Sequence, residues 1–123
     1  MTMDAKQEYL KKKRVLFEKQ EELCETQKRI NHTIDEIESW YKRQTKLQDE
    51  LLEYFKGSSS LMFFDGCSMK LAQSYKSAKI KIDELLSETN RQLENNRQEI
   101  DDIRIKFKKK EDMNQNVSED GIR

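Results

Sequence analysis

The chain has 123 residues, of which 39% are charged, with 24 basic and 24 acidic side chains and no net charge. That length allows one domain, and the balance of charge argues against a general nucleic-acid binder, which carries a basic excess. Only 34% of residues are hydrophobic and proline is absent, a composition that fits long helices or a coiled coil once its apolar residues prove periodic.

Residues 4 to 56 contain no glycine or proline and are rich in Glu, Lys, Gln and Leu, so one long helix is expected there. With Tyr9 as heptad position d, the d series is Tyr9, Leu16, Leu23, Ile30, Ile37, Gln44 and Leu51, six of seven apolar. The a series is Lys13, Gln20, Gln27, Ile34, Tyr41, Gln48 and Phe55, with three apolar. Leu10, Phe17 and Cys24 widen the stripe at e. A seven-residue repeat of this length implies a coiled-coil seam, half of it polar.

Residues 57 to 66, GSSSLMFFDG, hold two of the three glycines and read as a turn. Four large apolar residues, Leu61, Met62, Phe63 and Phe64, sit in its middle, where a plain turn would be polar. Exposed apolar clusters mark interaction sites, so this tip is a candidate partner contact. The alternative is that it folds back and plugs the hairpin end over Phe55, Leu51 and Leu71.

A second helix is expected from about 67 to 112. Its stripe is Leu71, Tyr75, Ala78, Ile82, Leu85, Thr89, Leu93, Asn96, Ile100, Ile103 and Phe107, with a stutter near Thr89 where two steps of four meet. Residues 114 to 123 show no pattern and are expected to form a disordered tail. The fold class is therefore all-α: an antiparallel, coiled-coil-like two-helix hairpin. Folding about the tip pairs residues whose numbers add to about 123, so Leu23 faces Ile100, Leu16 faces Phe107 and Gln27 meets Asn96 in a register-fixing polar layer. Cys24 and Cys67 would then lie too far apart for a disulfide, and their use suits a reducing cytosol.

Two helices alone bury little, and Trp40, Leu47, Leu52, Ile80, Leu86 and Ile105 lie outside the strict seam. A partner is expected to complete a bundle, either a second copy or a heterologous helical protein. Trp40 is a candidate for that interface, or else it flanks the seam within the chain.

No chemistry-bearing constellation stands out, and no enzyme, cofactor or metal site is expected. His32 falls at a solvent-facing f position. Glu84 and Glu88, or Asp101 and Asp102, fit solvated helix faces better than acid/base pairs. The two Asn-x-Ser/Thr matches, at Asn31 and Asn116, carry no weight without a secretory signal, and MTMDAKQEYLKKKR lacks the apolar core of one. No stretch approaches the ~18 apolar residues of a membrane span, so a cytoplasmic location is expected. Lys11 to Arg14 and Lys106 with Lys108 to Lys110 form a basic pole at the open end, able to meet an acidic partner, phosphate or anionic lipid, or simply to keep a rod soluble.

Phe64-Asp65-Gly66 is an aromatic-x-Gly triplet between two long helices, and Phe107-Lys108-Lys109-Lys110-Glu111 has the form aromatic-x-x-x-acid near the end of the second. Together they resemble the WXG family of small helical-hairpin proteins of Gram-positive type VII secretion, and in particular the small proteins encoded beside LXG toxins. The resemblance departs in its Phe for Trp and Phe for Tyr, its greater length and its denser charge. It implies a targeting partner or chaperone that packs against the helical N-terminal domain of a secreted toxin. It also implies that Phe107 and Glu111 serve as an export motif, and that the chain could leave the cell with its partner. The residue-level alternative is a structural subunit of a cytoplasmic coiled-coil assembly. A bilayer-inserting LMFF tip is disfavoured because the basic clusters lie at the other end.

Overall fold

A computed structural model describes the backbone of residues 2–54 and 58–122 and the side chains of residues 4–54 and 61–113. Two helices account for it: α1, Thr2–Tyr54, and α2, Ser58–Ile122. They pack against each other as an antiparallel hairpin, without strands among the described residues. The chain divides into two compact units, one of Met1–Thr26 with Thr89–Arg123, the other Gln27–Glu88.

In the first unit, Leu93 and Ile100 are buried, with Thr89 and Asn96 buried beside them. Tyr9 stacks on Phe107 with ring centroids 4.1 Å apart and planes 5° from parallel. Asn96, 1% exposed, donates from Nδ2 to the Leu16 carbonyl and to Gln20 Oε1, each at 2.8 Å. In the second unit Ile30 is buried, Tyr41 stacks on Tyr75 at 4.2 Å, Lys79 Nζ pairs with Glu38 Oε1, and the Ser68 hydroxyl donates to Gln48 Oε1 at 2.8 Å.

These contacts correct the expected register. Within each unit, facing residues have numbers adding to about 116, one heptad short of 123. Phe107 faces Tyr9 rather than Leu16, and Asn96 meets Gln20 rather than Gln27. A slip of seven residues leaves every a and d position on the seam, so the apolar pattern fits both registers equally. The specific partners decide: the register found sets ring on ring twice and amide on amide once.

The position of the connection shifts with the register. Residues 58–66 are the first turns of α2, not a loop tip, and Phe55, Lys56 and Gly57 lie outside the described residues. Gly66 sits in the helix without a positive φ, and a Cβ built there would meet nothing within 4 Å. The expected tail also changes, because α2 extends to Ile122.

The seam of α1 follows the expected a and d series from Tyr9 to Gln48, all of them buried or half-buried. It then steps to Leu52, leaving Leu51 exposed. In α2 the expected stripe holds except at Leu85, which is exposed while Leu86 is half-buried. The two adjoining steps of four therefore fall at Ala78, Ile82 and Leu86, one heptad earlier than expected.

Candidate protein-interaction surface

The apolar residues at the start of α2 do not share one environment. Phe64 is half-buried, and the register places it opposite Leu52, also half-buried, so it extends the seam. Phe63 meets Phe64 edge-on at 5.7 Å yet stays 67% exposed, with Leu61 at 47% and Met62 at 78%. The helical period explains the split in part: Met62 and Phe63, two and one steps before the seam residue, point away from it, whereas Leu61, three steps before it, lies nearer the seam face and is the least exposed of the three. Asp65 is exposed. The Phe64-Asp65-Gly66 triplet is therefore a helical segment, with its ring turned to α1, and it does not close the inter-helix loop. Neither is Phe64 a plug folded over the hairpin end; it belongs to the packed stripe itself.

α1 carries a second exposed apolar stripe. Trp40, Leu47 and Tyr54 occupy successive g positions and are all exposed, Tyr54 at 85%. The opposite, e flank of the same unit is polar. It holds the Glu38–Lys79 ion pair and Thr45, whose hydroxyl donates to the Tyr41 carbonyl at 2.9 Å. The Lys79 ammonium, by its hydrogen bond first and its charge second, holds the Glu38 carboxyl below the usual carboxylate range. The same hydrogen bond raises Lys79. One flank of this unit is thus closed by a cross-helix polar contact, and the other offers aromatic and aliphatic surface.

In the first unit, an open groove of about 650 Å³ runs over Val15, Leu16 and Ile103. Its rim carries three acids, Glu8, Glu99 and Asp102, and three lysines, Lys11, Lys12 and Lys106. Such a rim has no net charge and suits the mixed charge of a helix face better than an anion. The lysines expected as a basic pole are partly engaged within the chain: Lys12 lies 3.4 Å from Glu8, and Lys13 sits over both the Tyr9 and Phe17 rings.

Phe107 and Glu111 are separated in character as well. The ring is half-buried against Tyr9, whereas Glu111 is exposed. A ligand reading this pair would therefore meet the carboxylate and only an edge of the ring. His32 is exposed and lies 2.6 Å from Glu36, a pairing one turn along the same helix. Cys24 and Cys67 are free thiols. Among the described residues no group of three or more His, Cys, Asp or Glu could hold a metal, and no helix is long and apolar enough to cross a membrane.

The exposed apolar residue that sequence reasoning missed is Tyr54. Its signal was the heptad spacing from Trp40 through Leu47, hidden while Trp40 was weighed as a lone hot spot. Compared with known protein families, curated proteins and solved structures, the chain matches none of them.

Proposed function

We propose that the chain is a non-catalytic adaptor that completes a helical bundle by docking a helical segment of a larger protein. The observation that carries this is the unpaired apolar surface at the start of α2: Leu61, Met62 and Phe63 are exposed on consecutive positions of a helix whose seam is already formed. A chain with 39% charged residues has ample polar side chains for such positions, and exposed apolar clusters of this kind mark interaction sites. An amphipathic partner helix reads them as anchors. Following the resemblance to type VII targeting proteins, the docked segment is the helical N-terminal domain of a secreted toxin. The adaptor works in the cytoplasm or is co-exported with its cargo.

A second reading, a structural subunit of a coiled-coil assembly, is favoured by one observation. The two short motifs behind the resemblance are spent on packing within the hairpin: Phe64 extends the seam and Phe107 stacks on Tyr9.

The test is capture from the native host by the tagged chain and by its Leu61→Ser, Met62→Ser, Phe63→Ser variant, with co-purifying proteins identified by mass. The adaptor role predicts recovery of one larger protein with a long helical segment, lost in the variant at unchanged helix content. Recovery of other coiled-coil subunits, equally by both proteins, supports the structural role instead.

A further inference from the structure

The g stripe of α1 lies beside a second pattern. The c positions that alternate with it are Glu36, Arg43 and Glu50, all exposed. Stepping along the helix gives Glu36, Trp40, Arg43, Leu47, Glu50, Tyr54, with intervals of four, three, four, three and four. That is a complete second heptad seam, about 100° around the helix from the one used in the hairpin. Its charges alternate in sign every seven residues, so Arg43 and Glu50, one on either side of Leu47, become each other's complements when the stripe is reversed about Leu47.

We infer that this face pairs with the same face of a second copy, antiparallel, about a twofold axis at Leu47. Leu47 then meets Leu47 of the second copy, Trp40 meets Tyr54 of the second copy, and Arg43 lies beside Glu50 of the second copy, each pair occurring twice by symmetry. A parallel pairing in register would set Arg43 against Arg43 and Glu50 against Glu50. An antiparallel pairing centred on Trp40 would satisfy the charges through Arg43 and Glu36, but it would place Leu47 against Thr33 and Tyr54 against Thr26. Only the axis at Leu47 matches all three apolar residues while also pairing Arg43 with Glu50. The aromatic and leucine contacts supply the affinity. The ion pairs, exposed and individually weak, set orientation and register. A chain of zero net charge adds no long-range repulsion between copies.

The surface adjoins Leu61, Met62 and Phe63 at one end, where the register sets Tyr54 across from Met62, but its Trp40, Arg43, Leu47 and Glu50 contacts lie on α1 alone, so the inference does not rest on the adaptor role. Sedimentation equilibrium of the full chain tests it, with Arg43→Glu, Glu50→Arg and the double reversal, alongside helix content from circular dichroism. A dimer is expected for the unaltered chain, weakened about tenfold or more by either single reversal and recovered by the double. In a Cys24→Ser, Cys67→Ser background, Leu47→Cys is expected to oxidise to a covalent dimer. A monomer, a dimer indifferent to the reversals, or a Leu47→Cys chain that stays uncoupled would overturn the inference. Loss of partner capture by the Leu61, Met62, Phe63 variant, with its dimer intact, would leave it untouched.

Discussion

Tyr9 and Phe107 lie face to face, 4.1 Å apart and 5° from parallel, joining the beginning of one helix to the later part of the other. With Tyr41 on Tyr75 this stack sets the register of the hairpin. The register in turn decides which residues are seam and which are surface. It converts a supposed loop into helix, and it leaves Leu61, Met62 and Phe63 outward while Phe64 turns in.

Gly66 provides a direct check on that conversion. In a helix interior, glycine costs roughly 0.5–1 kcal/mol relative to alanine, and a methyl group at this position has open space. Gly66→Ala is therefore expected to stabilise the hairpin by about that amount, read as a higher denaturation midpoint at unchanged slope. Destabilisation would indicate a turn that needs glycine.

Asn96 leads to a second prediction. Its side chain is buried, its amide donates twice, and its Oδ1 has no hydrogen-bond partner. A buried acceptor left unpaired costs ~1–3 kcal/mol. Replacing Gln20 and Asn96 together by Leu removes the polar layer and its unsatisfied atom, so thermal stability should rise. Specificity should fall, because a seam without its polar layer tolerates heptad slips. Cysteine pairs placed in both registers should then cross-link in the doubly substituted chain, whereas the unaltered seam should favour one.

The α1 helix and its seam were legible in the sequence because its a and d positions repeat without interruption from Tyr9 to Gln48. The register was not, since apolar periodicity is indifferent to a shift of seven. The start of α2 was also misread, because glycine and serine were taken together as turn residues. A run of serines after Gly57 equally marks the start of a helix, where Ser is a favoured cap. Leu52 and Leu86 replaced Leu51 and Leu85 for a further reason: adjacent leucines offer the helix a choice, and the local phase of the supercoil makes it. The exposed apolar surface was half legible, with Trp40 and the LMFF stretch both singled out. Their division into seam and surface depends on neighbours that only the fold supplies.

The Glu38–Lys79 pair gives a pH dependence whose sign follows from the two shifts. Glu38 is lowered, so its contribution to stability is present above the ordinary carboxylate range and disappears as pH falls through its depressed pKa. Lys79 is raised, so its contribution is present below the ordinary lysine range and disappears as pH rises through its elevated pKa. Between those limits the pair contributes a constant amount, modest because both side chains remain partly exposed. The difference in melting temperature between the unaltered chain and Glu38→Gln should be flat around neutral pH and shrink toward zero in strong acid. A difference that persists unchanged in strong acid would assign the effect to packing rather than to charge.

Disulfide trapping tests the register most directly. In a Cys24→Ser, Cys67→Ser background, one chain carries Tyr9→Cys with Phe107→Cys, and another carries Leu16→Cys with the same Phe107→Cys. The two registers differ by seven residues, about 10 Å along a helix at 1.5 Å per residue, while a disulfide needs Cα atoms within about 7 Å. Rapid intramolecular oxidation of the 9–107 pair, with the 16–107 pair remaining reduced, is the predicted result. Oxidation of the 16–107 pair instead would contradict the register, and with it the assignment of residues 58–66 to a helix.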